Sequence, residues 1–329
     1  MKAFSFAAPR FESEVLELLG ETWGQSEILA GGTDLVGLMR QMIVAPERVV
    51  YLGNVAEYRG IEADSAGVRI GAMSTLDDLA DSAALAPYAA VTQAIRGINS
   101  MQLQAQGTLG GELCQRPRCW FFRNGHGLLA DRGRLVAEGD NRYHAILGND
   151  GPAKFVHPSR VAPALVALGA QVRLAGPTAE DETILPIEYF FRIPRDESER
   201  ETMLLPSQVL THLMLPAVDG VASATYEVRQ GAGPDYPLAA AAAALRFDGP
   251  YVREARIVLG HAAPMPWRSA AAERAMIGLP VTPETVKAAG EAAVAAATPL
   301  ASNRYKVQLA RVSVERALLM AAGLETGGF

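Results

Sequence analysis

Two short glycine turns constrain this sequence more strongly than any other feature. The first is Ala30-Gly31-Gly32-Thr33-Asp34-Leu35-Val36, and the second is Gly107-Thr108-Leu109-Gly110-Gly111. Paired glycines allow a positive φ and leave no Cβ between a ligand and the main-chain amides. Thr33 and Thr108 each add a hydroxyl that can donate to a phosphate oxygen. The run over residues 34–42 predicts a helix whose N-terminal amides face the first turn, an arrangement that binds anions.

The two turns allow two interpretations. Each could be an ordinary tight turn in a chain rich in alanine and glycine, because short glycine motifs often match by accident. If the turns face each other, they could instead hold both halves of a pyrophosphate. Neither has the G-x-G-x-x-G spacing, and no Lys-Ser or Lys-Thr follows the glycines as in a P-loop. The pair indicates pyrophosphate binding more strongly than either turn alone.

Longer segments around the turns carry a family resemblance. They are AGGTDLVGLMR at 30–40, GTLGGELCQRPRCWFFR at 107–123, IVLG at 257–260, PMPWR at 264–268 and NRYK at 303–306. In this order they resemble the FAD-binding (medium) subunits of the molybdenum hydroxylases. That family includes xanthine dehydrogenase, aldehyde oxidoreductase and carbon monoxide dehydrogenase. The resemblance covers the whole chain and is closest to the branch with an inserted iron–sulfur loop.

The resemblance implies a fold, a cofactor and a set of contacts. The fold class is α+β: a two-subdomain FAD-binding domain of the PCMH/vanillyl-alcohol-oxidase type, followed by an antiparallel sheet covered by helices. The cofactor is FAD, with both glycine turns around its pyrophosphate. The predicted cofactor-binding residues are Ala30, Gly31, Gly32, Thr33, Asp34, Leu35, Thr108, Gly110, Gly111, Glu112, Ser159, Arg160 and Tyr236.

Periodic segments predict three units along the chain. Residues 1–57 form a small α/β unit, 58–204 form a second unit with an inserted loop at 115–156, and 205–329 form a third. In the third unit, strands followed by helices suggest an antiparallel sheet covered on one face. The predicted strands there are 209–215, 224–229, 238–247 and 252–259, and the predicted helices are 267–276, 283–297 and 302–322.

Composition and charge exclude several other classes of protein. Of the 329 residues, 49% are hydrophobic and 20% are charged, as in globular proteins. The net charge of −6 disfavours a nucleic-acid partner, which requires a basic face. The apolar segments are too short to span a bilayer, and residues 1–6 lack a signal-peptide core. We therefore expect a cytoplasmic protein that contacts no membrane.

The two cysteines of the chain, Cys114 and Cys119, directly follow the second glycine turn, where the inserted loop begins. In the branch that this sequence resembles most, the loop binds a [4Fe–4S] cluster, which ordinarily needs four thiolates. With two thiolates the sequence predicts no cluster, and Cys114 and Cys119 are the candidate ligands of any metal. A mixed site with His126, His144 or His157 is the alternative. Otherwise the loop packs through Trp120, Phe121 and Phe122.

The same loop is rich in arginine. The residues are Arg116, Arg118, Arg123, Arg132 and Arg134, and none has an obvious partner in the sequence. They form either a solvated cationic face or a docking surface for an acidic partner or ligand.

Two residues near the expected flavin site depart from the family pattern. Glu112 stands where the second turn usually continues with Asn, and Arg160 stands where an acid usually lies near the flavin. A carboxylate beside a pyrophosphate is repelled unless a cation lies close or the side chain points away. We therefore hypothesise that Glu112 and Arg160 form an ion pair. Tyr236 could stack on the flavin ring or pack in the core.

The resemblance implies a function and leaves two alternatives open. The chain would be an FAD-binding oxidoreductase subunit that passes electrons between its partners and an external acceptor such as NAD or oxygen. Those partners are a molybdenum-cofactor subunit and a two-cluster iron–sulfur subunit. A stand-alone FAD-dependent oxidoreductase acting on a small-molecule substrate is one alternative, and a flavin-free binding module is the other. The sequence identifies no catalytic acid or base, because flavin chemistry belongs to the cofactor.

Overall fold

The computed structural model describes residues 1–326, which begin with a small parallel sheet. Its strands are β1 (Ser5–Ala7), β2 (Ser26–Leu29) and β3 (Arg48–Tyr51), in the order β1-β3-β2. Helix α1 (Glu12–Leu18) connects β1 to β2, and helix α2 (Leu35–Arg40) connects β2 to β3. Both pairings are parallel, so each strand needs a crossover helix. The first glycine turn is the link between β2 and α2.

A five-stranded antiparallel sheet forms the second layer. Its order is β4-β5-β8-β6-β7, with β8 in the centre. The predicted boundary at residue 205 was wrong, because it assigned β8 to the C-terminal unit. Hydrogen bonds to β5 and β6 hold β8 in this sheet instead. The strands are β4 (Ile61–Asp64), β5 (Gly67–Gly71), β6 (Gln171–Ala175), β7 (Glu182–Pro186) and β8 (Val209–Pro216).

Seven helices lie between β5 and β6. Thr75 caps the first of them through the N–H of Asp78, whose carboxylate accepts from the N–H of Thr75 in return. The sequence did not predict α5, which Ser100 caps through the N–H of Leu103. The helices are α3 (Leu76–Asp81), α4 (Ala89–Arg96), α5 (Met101–Gln106), α6 (Leu109–Leu113), α7 (Trp120–Arg123), α8 (Arg134–Glu138) and α9 (Ala162–Ala167).

The C-terminal layer is a four-stranded antiparallel sheet in the order β12-β11-β10-β9. Its strands are β9 (Val221–Val228), β10 (Ala239–Asp248), β11 (Tyr251–Gly260) and β12 (Trp267–Arg268). The helices that follow are α10 (Ala270–Met276), α11 (Pro283–Val294) and α12 (Tyr305–Ala321). The predicted helix at 267–276 begins late, because Trp267 and Arg268 pair with β11 and Ser269 caps the helix.

The alanine-rich strand β10 lies between two helical layers. Alternate residues of β10 belong to two separate apolar cores, so both faces of the strand are buried. One face packs on α12, and the other packs on α9 and α4 of the preceding domain. Small alanine side chains let these layers approach closely. The C-terminal sheet is thus covered by its own helices, as predicted, and also closes onto the FAD-binding domain.

The inserted loop has a core of its own that is built on helix α2. Phe122, Leu128, Val136 and Phe155 pack together with Leu38 of α2. Phe122 thus packs as predicted, and the loop is tied to the helix that follows the first turn. Over residues 1–326, no helix is long and apolar enough to cross a membrane.

Candidate functional site

The first glycine turn approaches the second so closely that it requires glycine. Gly32 has φ +76, and a Cβ added to Gly31 would lie 1.6 Å from the carbonyl oxygen of Gln106, directly before the second turn. Within residues 1–326, the N–H groups of Gly31, Gly32, Thr33 and Asp34 donate to no protein acceptor. Four neighbouring amides thus remain available to an anion.

The second turn is more fully hydrogen bonded. Leu109 donates to Ser74 at 2.9 Å and Gly110 donates to Ala72 at 2.8 Å, both to backbone oxygens. The N–H of Gly111 donates to Oγ1 of Thr108 at 3.1 Å. The hydroxyl hydrogen of Thr108 remains free to donate, because Oγ1 only accepts in that bond. The second turn therefore offers a hydroxyl, whereas the first offers amides.

Both turns line one cavity of about 180 Å³, which we call the cradle cavity. Its lining includes the apolar side chains of Leu19 and Val44 as well as the charged side chains of Arg116 and Arg200. Nine of the predicted cofactor-binding residues line it: Ala30, Gly31, Gly32, Thr33, Asp34, Leu35, Thr108, Gly110 and Gly111.

A small adjoining cavity brings in most of the remaining predicted residues. This Glu112 cavity shares Thr33, Thr108 and Gly111 with the cradle cavity, and its other lining residues include Glu112, Arg160 and Tyr236. Ser159 lines neither cavity, but its hydroxyl lies 3.1 Å from Oε1 of Glu112.

The Glu112 carboxylate is turned away from the turns and is held by neutral donors. Its Oε1 accepts from the backbone N–H of Arg160 at 2.8 Å and from Ser159 at 3.1 Å, and its Oε2 accepts from Gln115. Burial raises the pKa of Glu112 to about 7, although these hydrogen bonds and nearby arginines act in the opposite direction. An enclosed carboxyl that is partly protonated near neutral pH repels a pyrophosphate less than an exposed carboxylate would.

The hypothesised Glu112–Arg160 ion pair was wrong. The contact is made by the backbone N–H of Arg160, while its guanidinium donates to the carbonyl oxygens of Gly97 and Asp235. The nearest carboxylate to that guanidinium is Glu227, with 3.8 Å between Nε and Oε1. The sequence shows that residues 112 and 160 carry opposite charges. It does not show the direction in which the Arg160 side chain points, and that direction decides whether the two charges meet.

Tyr236 lies at the edge of the site rather than in the core, with 37% of its surface exposed. Its hydroxyl donates to Oε1 of Gln115 at 2.7 Å. The guanidinium of Arg118 lies 5.1 Å from the Tyr236 ring centre and also donates to Oε1 of Gln115, at 2.8 Å. Tyr236, Arg118 and Gln115 therefore form one hydrogen-bonded unit at the border of the Glu112 cavity.

Asp34 joins the first turn to the inserted loop. Its carboxylate accepts from the backbone N–H of Arg116 at 2.8 Å and from the guanidinium of Arg123 at 2.8 Å. The guanidinium of Arg118 lies 3.1 Å away. The Asp34 side chain thus holds the loop, and only its N–H faces the turn unpaired.

Most of the loop arginines are ion-paired, contrary to the sequence interpretation. Besides the two arginines on Asp34, Arg116 pairs with Glu201 at 2.9 Å, and the exposed Arg134 pairs with Asp131 and Glu138. The partners of Arg116, Arg118 and Arg123 come from distant segments of the chain. These three form internal links rather than an open cationic surface.

Of the two cysteines, Cys119 meets a histidine of the loop, but no group of ligands that could hold a metal forms around it. Cys114 lines the cradle cavity, and burial raises the pKa of its thiol to about 12. The sulfur of the buried Cys119 lies 3.1 Å from Nε2 of His144. Nowhere in residues 1–326 do three His, Cys, Asp or Glu side chains form a group that could hold a metal ion.

Sequence reasoning missed the charged wall of the cradle cavity. Arg116 pairs with Glu201, Arg200 pairs with Glu27 at 2.6 Å, and the guanidinium of Arg200 stacks 3.8 Å from the Trp23 ring centre. Of these five residues, only Arg116 belongs to one of the segments that carry the family resemblance. Their partners are far apart in sequence, so no local pattern could have indicated them.

Paired glycine turns with free amides on one cavity define a site for a dinucleotide cofactor, and comparison with known proteins gives its family. The chain belongs to the FAD-binding medium subunits of the molybdenum hydroxylases. Residues 2–218 match the family described as FAD binding domain in molybdopterin dehydrogenase, and 224–321 match the CO dehydrogenase flavoprotein C-terminal domain. This confirms the resemblance, the fold class and FAD as the cofactor, and the chain is an FAD-dependent oxidoreductase subunit.

Several relatives match over nearly the whole length of both chains. The aldehyde oxidoreductase FAD-binding subunit PaoB of Escherichia coli is 29% identical over 94% of this chain and 96% of that protein. The carbon monoxide dehydrogenase medium chain of Hydrogenophaga pseudoflava is 27% identical over 96% of both. A structure of carbon monoxide dehydrogenase from that organism, lacking the Mo-pyranopterin moiety of the molybdenum cofactor, superposes with a TM-score of 0.76 over 97% of both chains.

The described residues fit FAD on physical grounds. A pyrophosphate is anionic, and the four unpaired amides at Gly31–Asp34 together with the Thr33 and Thr108 hydroxyls are the donors that it requires. The glycines leave no Cβ above these amides. Glu112, the one residue that argued against an anion, is enclosed by its own hydrogen bonds.

Proposed function

We propose that this subunit passes electrons between partner subunits and an external acceptor such as NAD or oxygen. The partners are a subunit with the molybdenum cofactor and a subunit with two iron–sulfur clusters, and the assembly acts in the cytoplasm. Relatives that match over nearly their full length are named medium chains or FAD-binding subunits, which supports a role inside a larger enzyme. FAD, when bound, supplies reversible electron transfer.

The chain's own contribution is to bind and orient the cofactor. We assign the pyrophosphate to the amides of Gly31, Gly32, Thr33 and Asp34 and to the hydroxyls of Thr33 and Thr108. The single observation that carries this assignment is the run of four unpaired amides beside the close contact of the two turns. Ala30, Leu35, Gly110 and Gly111 complete the walls of the same cavity.

The redox ring of FAD is assigned to the end of the site near Glu112. Arg160 and Tyr236 line that end, and Ser159 holds the Glu112 carboxyl. The adenine base is assigned to the cradle cavity, whose lining includes Leu19 and the Trp23 ring. This arrangement places the ring beside the inserted loop, where an electron partner or acceptor could approach.

Isolation of the protein from its native cells, with metals and flavin measured on the same sample, tests the proposal. We expect FAD at one equivalent per chain together with molybdenum and iron, carried by one larger and one smaller partner. An FAD-containing chain that purifies alone and is reduced by small substrates without partners would contradict the electron-transfer role and favour a stand-alone flavoenzyme. A colourless protein would favour a flavin-free module.

The external acceptor can then be identified separately. The flavin is reduced without air, and NAD or oxygen is added in turn while the absorbance of the oxidised flavin is followed. Rapid reoxidation by one of the two identifies that acceptor. Failure of both would contradict this part of the proposal.

A further inference from the structure

A third cavity lies under the inserted loop and is distinct from the cradle cavity. This loop cavity encloses about 260 Å³, and four aromatic residues, Trp120, Tyr143, Phe155 and Tyr236, line it. It shares no lining residue with the cradle cavity. A protein cavity of about 150 Å³ is enough to hold benzene, so this one accommodates a molecule of one or two fused rings.

The loop cavity is separated from the Glu112 cavity by a partition of hydrogen-bonded side chains. The two cavities have only Arg118 and Tyr236 in common. Gln115 fixes both residues, accepting from the hydroxyl of Tyr236 at 2.7 Å and from the guanidinium of Arg118 at 2.8 Å. Because Gln115 holds both Arg118 and Tyr236 in place, the partition is fixed and the loop cavity is a separate compartment.

His261 is an unusual residue on the wall of this cavity. Its side chain is buried, with 2% of its surface exposed, yet neither ring nitrogen has a hydrogen-bond partner within residues 1–326. Its backbone has φ +55, a conformation that side chains other than glycine seldom adopt. Buried polar groups without partners and strained left-handed residues are both rare, and they cluster where ligands bind.

The two cations on the walls of the cavity, Lys306 and Arg118, have partners within the chain. The ammonium of Lys306 donates to the carbonyl oxygens of Tyr143, His144 and His261, at 3.1, 3.0 and 2.8 Å. Arg118 is paired with Asp34. Burial lowers the pKa of His144 to about 4 and the pKa of His261 well below its ordinary value, so both imidazoles are neutral.

A neutral imidazole offers one N–H donor and one nitrogen acceptor. His261 lines the cavity with both of these atoms unpartnered, and Nδ1 of His144, another lining residue, is a further buried atom without a partner. Aromatic side chains on the other walls favour a flat molecule. Arg118 and Lys306, the two cations on the walls, already have partners, so an anion gains little here. The one acid among the lining residues is Asp235, which is exposed to solvent.

We propose that the loop cavity is a second binding site, for a neutral planar heteroaromatic molecule that carries a hydrogen-bond donor next to an acceptor. A lactam or a ring carboxamide has this pattern. His261 is the positioning residue, and its imidazole pairs with the polar edge of the ligand while the aromatic residues contact its faces. The site is additional to the FAD cleft and does not depend on the acceptor or the partner subunits.

Titration of the purified FAD-containing protein with 2-pyridone, by calorimetry and ligand-observed NMR, tests the proposal. We expect saturable binding at one site. Picolinate, a charged ring of similar size, and benzene, which has no polar edge, should bind at least about tenfold more weakly. His261→Gly should weaken 2-pyridone binding at least about tenfold.

The His261→Gly variant is chosen because glycine adopts φ +55 without strain, so the fold should be retained. We expect its melting temperature to equal or exceed that of the wild type and its FAD absorbance to be unchanged. Absence of saturable binding, or equal affinity in the variant, would overturn the proposal. Loss of FAD in the variant would also overturn it, because the cavity would then belong to the cofactor.

The FAD absorbance of the wild-type protein separates this test from that of the proposed function. A colourless wild-type protein would argue against the flavin assignment. The 2-pyridone titration of the same sample would still decide whether the loop cavity is a binding site.

Discussion

The backbone N–H of Arg116 donates to Oδ2 of Asp34 at 2.8 Å, although the two residues are 82 positions apart in the chain. Asp34 follows the first glycine turn, and Arg116 begins the inserted loop. The guanidinium groups of Arg118 and Arg123 add two further contacts to the same carboxylate. One carboxylate therefore closes the loop over the turn that we assign to the pyrophosphate.

Asp34→Asn should destabilise the protein and weaken FAD binding together. The Asp34 side chain is 13% exposed and that of Arg123 is 16% exposed, so the variant leaves a mostly buried guanidinium without its countercharge. We expect a loss of about 2–4 kcal/mol in the free energy of unfolding. Chemical denaturation of the apoprotein and titration of FAD by fluorescence measure the two effects.

Asp140→Asn is the matched control for this change. Asp140 also pairs with an arginine of the loop, Arg142, but both side chains are largely exposed, at 43% and 56%. Exposed pairs add little to stability, so we expect neither property to change measurably. Equal effects of the two substitutions would contradict the role of Asp34.

The buried Glu112 should make stability fall as the pH rises. Burial raises the pKa of Glu112 from 4.5 to about 7, so the folded chain keeps a proton that the unfolded chain has released. The free energy of unfolding then decreases between about pH 4.5 and pH 7, by up to about 3 kcal/mol from this group. Glu112→Gln removes this contribution. In urea melts, the free energy of unfolding of the wild type minus that of the variant should therefore decrease from about pH 4.5 to about pH 7. A difference that does not change with pH would contradict the raised pKa of Glu112.

Local sequence patterns were sufficient for most elements of the fold. The segment 238–247 was predicted as a strand despite its alanines, and the structure shows why the alanines fit: residues of β10 lie in two apolar cores, one on each face. Strand membership in a sheet was not predictable in the same way. Strand β8 was assigned to the wrong unit because its partners β5 and β6 are set by long-range pairing, which leaves no trace in periodicity.

The parts of the candidate site that could be predicted are those formed by the main chain, because a local sequence pattern indicates the backbone conformation. The glycine turns were recognised because Gly-Gly is a local requirement, and both turns do line one cavity. The charged wall was missed because Arg200 and its partner Glu27 are 173 positions apart. The Glu112–Arg160 ion pair was wrong because the chemistry of the two side chains could not show that a backbone N–H would occupy the carboxylate.

Three consecutive residues of the inserted loop are in left-handed backbone conformation, and relieving one should stabilise the protein. Ala130, Asp131 and Arg132 have φ values of 49, 57 and 54. Arg132 is exposed, and glycine accepts this conformation without the Cβ clash. We expect Arg132→Gly to raise the free energy of unfolding by about 0.5–1 kcal/mol. Thermal melts measure the change in stability. Arg132→Ala, which keeps the Cβ, should not raise the free energy of unfolding. An increase equal to that of Arg132→Gly would show that loss of the Arg132 charge, and not relief of backbone strain, stabilises the protein.

Lys306 should anchor the inserted loop to helix α12. Its ammonium is buried and donates to three carbonyl oxygens, two of them in the loop. Lys306→Met leaves buried acceptors without donors, and we expect a loss of about 2–4 kcal/mol together with faster hydrogen exchange at residues 140–146. Lys154→Met, which removes a single bond to the Asn149 carbonyl oxygen, should cost about 1 kcal/mol. Unchanged exchange in Lys306→Met would contradict the anchoring role.

The most direct test of the central claim is the affinity of the apoprotein for FAD in two alanine variants. Gly31→Ala places a Cβ 1.6 Å from the Gln106 carbonyl oxygen and forces the turns apart, whereas a Cβ at Gly37 in α2 would meet nothing within 4 Å. Far-UV circular dichroism establishes that both variants fold. Loss of one or two charge-assisted hydrogen bonds should raise the dissociation constant of Gly31→Ala about 100-fold and leave Gly37→Ala unchanged. Wild-type affinity in a folded Gly31→Ala protein would contradict the assignment of the pyrophosphate to the paired glycine turns.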